Sequence, residues 1–141
     1  MRIIGFNFKK ISAERKKNLK GKLEIKSNIN IENIEKEKVD IAGEVLKFYF
    51  INTIKYEPGL AEIVFKGSIL AMPEKSEDIK KILKEWKKKK IDENIQLFIF
   101  NFIMSKCNLK ALQLEEEFAL PPHVRMPKLT KKQPGKVNYT G

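Results

Sequence analysis

Two runs of alternating residues, 45–56 and 60–72, meet at Glu57-Pro58-Gly59, and this unit restricts the fold more than any other stretch of the chain. In the first run Leu46, Phe48, Phe50, Ile54 and Tyr56 share one face, while Lys47, Tyr49, Ile51, Thr53 and Lys55 share the other. In the second run Ala61, Ile63, Phe65, Ile69 and Ala71 lie on one side. A period of two marks a strand whose two faces differ in solvation. Proline presets φ at the first central position of a tight turn, and glycine accepts the positive φ of the second. The two runs therefore form an antiparallel hairpin. Gly67, inside the second run, points to a bulge or bend.

Two further strands precede the hairpin. Ile4, Phe6 and Phe8 alternate with polar residues, and the basic stretch 9–21 reads as a connection. From 23 to 32 the alternation resumes, with Leu23, Ile25, Ser27, Ile29 and Ile31 on one face and charged or amide groups on the other. A strand with one wet face belongs to an antiparallel sheet. Pro73 stops the sheet, and Ser76 is placed to cap a helix through its hydroxyl, with Glu77 and Asp78 near the positive end of the dipole. Ile79, Ile82, Leu83 and Trp86 then form one stripe of that helix, whose polar side carries Lys80, Lys81, Lys84 and the run 87–90. Residues 92–106 are ambiguous. Their Phe and Ile content permits a strand, while their length and the Asp92-Glu93 start favour a helix. A second short helix is expected over 110–118, ended by Leu120-Pro121-Pro122, because proline lacks the donor and disfavours α conformation before it. Residues 130–141 read as a basic, mobile tail after a domain spanning 1–129.

Composition bounds the rest. With 141 residues, 42% of them hydrophobic, the chain suits one globular domain. A single cysteine, Cys107, excludes an internal disulfide and suits a reducing compartment. The N-terminus lacks a signal-peptide cleavage pattern, and no apolar run reaches the ~20 residues of a membrane span, so a soluble cytoplasmic protein without membrane contact is expected. The net charge of +11 sits at the two ends: residues 1–20 contribute +6, residues 123–141 contribute +5, and the 102 between them are balanced. Such ends attract acidic partners or polyanions by long-range steering.

No catalytic constellation emerges. His123 stands alone in an extended segment, Cys107 has no CxxC partner, and the glycines form no phosphate-cradling loop. Glu115-Glu116-Glu117 reads as a solvated helix face. No enzyme activity, cofactor or metal is expected. Read as a helix, residues 95–104 are apolar nearly all round, more than one domain of this size can cover. Self-association is the expected outcome, with Leu97, Phe100, Met104 and Cys107 between subunits.

The segment KFYFINTIKYEPGLAEIVFKGSIL at 47–70, the helix around 79–86, the longer helix over 94–106, and Leu120-Pro121-Pro122 with Met126-Pro127 behind it together resemble the SecB and SecB-like protein-export chaperones. The resemblance covers about residues 2–129. It implies an α+β fold with a four-stranded antiparallel sheet and helices on one face, assembled as a dimer of dimers. It further implies an ATP-independent holdase for unfolded or partly folded client polypeptides, gripped in apolar grooves. Phe48, Phe50, Tyr56, Phe65, Trp86 and Phe98 are then the groove candidates, with Leu120 and Pro121 as wall. Export-pathway SecB proteins are acidic where this chain is basic, which argues against docking on a translocation ATPase. The alternatives are a nucleic-acid- or ribosome-associated protein using the basic ends, and a small-ligand-binding protein or enzyme, for which a convergent polar cluster is missing.

Overall fold

The structure, a computed structural model, describes residues 1–129 and 137–138, with the side chains at 128, 129, 137 and 138 excepted. Four long strands, β1 (Arg2–Arg15), β2 (Glu24–Val39), β3 (Gly43–Glu57) and β4 (Ala61–Met72), precede two helices, α1 (Glu77–Trp86) and α2 (Glu93–Glu117). A short antiparallel pair follows, β5 (Lys128–Leu129) with β6 (Val137–Asn138). The strands form one antiparallel sheet in the order β1-β4-β3-β2, a Greek key in which β1 lies beside the last strand instead of its sequence neighbour. The fold is thus the expected α+β arrangement, with both helices against one face of the sheet.

The central hairpin forms where expected, with β3 beginning at Gly43 instead of 45 and β4 at Ala61 instead of 60. Tyr56 faces Ala61 across the turn, the Glu57–Pro58 bond is cis, and Gly59 has φ of +60°. The face that carries Leu46, Phe48, Phe50, Ile54 and Tyr56 is buried together with Ala61, Ile63, Phe65, Ile69 and Ala71 of β4. Ile79 and Ile82 of α1, and Ile99, Ile103, Cys107 and Ala111 of α2, close that core from above. Gly67 is fixed by crowding: a Cβ there would lie 2.2 Å from the Asn7 carbonyl oxygen and about 2.9 Å from the Phe50 ring. The bulge expected from Gly67 lies in the facing strand, where the register of β1 shifts between Phe8 and Lys10.

Several expectations are corrected. Strand β1 runs on to Arg15, where a connection had been expected, and β2 runs to Val39, past the expected end at 32. The two helices expected over 92–106 and 110–118 are one helix of 25 residues, capped by Asp92, whose carboxylate accepts from the Asn94 and Ile95 amides. Ser76 has helical φ and ψ and makes no side-chain capping bond, so α1 starts without one. Glu115 is not solvated; it is the fifth member of the buried stripe of α2. Of the tail expected over 130–141, only residues 137–138 lie within the described part.

Candidate functional site

The end of α2 sets up the site. After Phe118, Ala119 takes a left-handed φ of +53°, the Ala119 amide donates to the Glu116 carbonyl, and the Leu120 amide donates to the Glu115 carbonyl. This is a Schellman turn, which satisfies the last helical carbonyls and reverses the chain. Arg15, the last residue of β1, adds its guanidinium to the Phe118 and Ala119 carbonyls at 2.9 and 3.1 Å, a cation at the negative end of the helix. Pro121 and Pro122 keep the chain extended, and residues 120–124 fold back beside α2.

That return segment is latched by Glu115, whose side chain is 1% exposed. Its carboxylate accepts the Tyr56 hydroxyl at 2.7 Å, lies 2.9 Å from the His123 Nδ1, and accepts the His123 backbone amide at 3.3 Å. The other ring nitrogen of His123 lies 2.9 Å from Oδ1 of Asn108 on α2. The same hydroxyl lies 2.5 Å from the Pro121 carbonyl oxygen, so its one proton is shared between the two acceptors. Burial, with the adjacent Glu115 carboxylate, pushes the Tyr56 hydroxyl pKa far up, so it stays a donor. A buried carboxylate held by one hydroxyl, one amide and one imidazole is satisfied at nearly every lone pair, which is the condition for keeping it in a core.

Beside the latch lies a groove between the outer strand β2 and helix α2, a cavity of about 380 Å³. Ile29, Phe100, Met104 and Val124 form its apolar walls; Ser27, Asn28, Asn52, Asn108 and His123 supply polar groups. No strand among the described residues pairs with the free edge of β2. Cys107 lies under α2 against Asn52, and burial pushes its thiol pKa up to about 11, with the Asn52 hydrogen bond pulling the other way. The opposite flank of α2 is closed by rings: Phe6 stacks 5.7 Å from Phe50 and meets Phe102 at 5.8 Å, and Phe8 meets Phe65 at 5.7 Å.

The expected groove residues do not converge on one surface. Phe48, Phe50, Tyr56 and Phe65 have no exposed side chain and hold the helices onto the sheet; Leu120 is buried with them. Pro121 and Trp86 are half-buried, and the Trp86 indole donates to Asn33 on β2 at 3.1 Å. Phe98 alone of the eight is exposed. Of the residues expected between subunits, Phe100 and Met104 line the groove, Cys107 is buried toward the sheet, and Leu97 is 56% exposed on the outer side of α2. Sequence reasoning missed Glu115, His123, Asn52 and Asn108. The first had a legible signal, since the four-residue steps through Ile99, Ile103, Cys107 and Ala111 arrive at Glu115.

The face of the sheet away from the helices is polar. Lys9 and Lys47 place their ammonium groups 4.6 and 5.2 Å from the Tyr49 ring, whose hydroxyl donates to Glu35 at 2.6 Å. Among the described residues no helix is long and apolar enough to cross a membrane, and no group of three or more His, Cys, Asp or Glu is placed to hold a metal ion.

No protein-family model matches the chain, and no curated protein matches it. A solved structure does: the SecB-like chaperone Rv1957 of Mycobacterium tuberculosis, in complex with a ChAD peptide from the Rv1956 HigA1 antitoxin. The likeness has a TM-score of 0.50 at 13% identity and covers 92% of this chain and 91% of that one. At that identity the likeness is one of architecture: the chain carries a SecB-like fold, a four-stranded antiparallel sheet with two helices against one face.

Proposed function

We propose that the chain is a cytosolic, ATP-independent chaperone that holds unfolded or partly folded polypeptide segments in the groove between β2 and α2. The observation that carries this reading is the groove itself, with apolar walls from Ile29, Phe100, Met104 and Val124 running beside an unpaired strand edge. An extended segment could lay alternate side chains against those walls while its backbone pairs with β2, so that many sequences bind through burial and main-chain hydrogen bonds. The likeness in fold to a SecB-like chaperone holding an antitoxin peptide supports the same reading. Trp86, Phe98 and Pro121 are the members of the expected aromatic set with surface to offer a client; Phe48, Phe50, Tyr56, Phe65 and Leu120 would act from beneath, by holding the platform. The outer side of α2, with Leu97 and the 70%-exposed Leu109, is the surface a second copy would cover in a homo-oligomer, a dimer of dimers in the fullest form of the proposal.

The test is light scattering of an aggregating, unfolded protein with and without this chain, at low salt and at about 0.3 M salt, alongside the native mass. Apolar burial survives that salt, whereas phosphate or acidic-client contacts through the basic ends weaken steeply. Protection retained at both salts with a multimeric mass is the expected result. Protection absent, or lost at the higher salt, would remove the proposal in favour of the charge-driven alternative, a nucleic-acid- or ribosome-associated protein.

A further inference from the structure

The groove carries a buried side-chain oxygen that has no hydrogen-bond partner. Asn52 sits on the core face of β3 between Phe50 and Ile54, both fully buried, and is itself 3% exposed. Two buried side-chain oxygens among the described residues have no hydrogen-bond partner, Oδ1 of Asn52 and Oε2 of Glu37. The second lies 3.6 Å from the Lys47 ammonium, which leaves Asn52 as the unanswered one. An amide oxygen taken out of water without a partner is destabilising, and an apolar residue of the same size would avoid that cost. The Asn52 side chain also lies against Cys107 and lines the groove. The neighbouring polar groups are engaged: Asn108 Oδ1 with His123, and His123 with Glu115. One unpaired acceptor is thus set in the groove among Ile29, Phe100 and Met104, closed to water as they stand and open to an incoming donor once they part.

Resting on the reading of this groove as a polypeptide site, we propose that Asn52 is a specificity-determining residue that selects client side chains combining an aromatic ring with a hydrogen-bond donor at its tip, as in tyrosine. The ring fills the apolar walls and the hydroxyl donates to Asn52 Oδ1. A serine reaches the acceptor without filling the walls. A lysine or arginine brings a charge whose nearest buried counter-charge, Glu115, is already held by Tyr56 and His123. A cavity of about 380 Å³ is at the small end of ligand pockets and suits one such side chain.

The test uses two extended peptides that differ only in one central residue, tyrosine or phenylalanine, titrated by fluorescence anisotropy into the full chain and into its Asn52→Leu and Asn52→Ala variants. The native chain is expected to bind the tyrosine peptide about five- to tenfold more tightly, because a site built around an acceptor discriminates against the ligand that leaves it unpaired. Asn52→Leu is expected to bind the phenylalanine peptide at least as tightly as the tyrosine one. Equal binding of both peptides by the native chain would overturn this inference while leaving the groove reading in place, as would a tyrosine preference that persists in Asn52→Leu or Asn52→Ala. Binding of neither peptide would overturn both. The native comparison decides the matter even if the leucine variant fails to fold.

Discussion

The two flanks of α2 rest on the same sheet and are closed by different chemistry. Toward β1, the rings of Phe6, Phe8, Phe50, Phe65 and Phe102 contact one another at centroid distances of 4.9–5.8 Å. Toward β2, no such ring contacts are made among the described residues. The boundary there is a polar latch, Tyr56–Glu115–His123–Asn108, which holds residues 120–124 in place as the far wall of a groove. Ring packing fills the space between the elements it joins; hydrogen bonds hold a wall at a set distance without filling the space behind it. The difference teaches how one helix can seal one side of a sheet and keep the other open.

The comparison can be broken from either side. Glu115→Ala should have the largest effect, about 3–5 kcal/mol of stability in urea denaturation, because it removes the buried carboxylate shared by the Tyr56 hydroxyl and the His123 ring, leaving the first only the Pro121 carbonyl and the second only Asn108. It should also free residues 122–124, beyond the Pro121 carbonyl that Tyr56 still holds, to faster amide exchange, and an unchanged exchange rate there would deny the latch its role. Phe6→Ala should cost about 2 kcal/mol, less than a fully buried ring because Phe6 is half-exposed, while peptide binding per folded molecule stays constant. Met104→Asp reverses that pattern: stability within about 1 kcal/mol of the native chain, measured by thermal melting, and at least a tenfold loss of peptide affinity. The smallest change is a gain. Ala119→Gly relieves the left-handed φ at the end of α2 and should add about 0.5–1 kcal/mol, read as a higher denaturation midpoint at unchanged slope.

The sequence was most legible where the period of two ran unbroken. β3 and β4 pair without a register shift, and their buried face and turn were readable from alternation and from Pro58-Gly59. β1 and β2 were cut short because each contains a bulge, and one extra residue changes which parity faces the core. On β2 the core face passes from Ile29 and Ile31 to Ile34 across the shift at Glu32, so alternation read from 23 onward ends at the bulge instead of at the strand end. On β1 the same happens at Lys9, after which Ile11 and Ala13 replace Phe6 and Phe8. The break expected in α2 fell where Ser105, Lys106 and Asn108 interrupt an apolar run; Asn108 is retained there by its contact with His123. The aromatic set that looked like groove lining is mostly buried, because strand-face rings under two helices pack before they present. The latch was hidden for a different reason. Glu115 and His123 meet only through the left-handed turn at Ala119, and no residue in that turn is a glycine that would announce it.

The central claim is that the β2 flank of α2 is the polypeptide site and the β1 flank is not. Amide hydrogen exchange of the full chain, with and without an excess of an unfolded polypeptide, tests it most directly. The account predicts added protection along β2 around residues 27–29 and in α2 around residues 100–108, with the amides of Phe6 and Phe8 on β1 unchanged. Protection centred on β1, or none in β2, would contradict it.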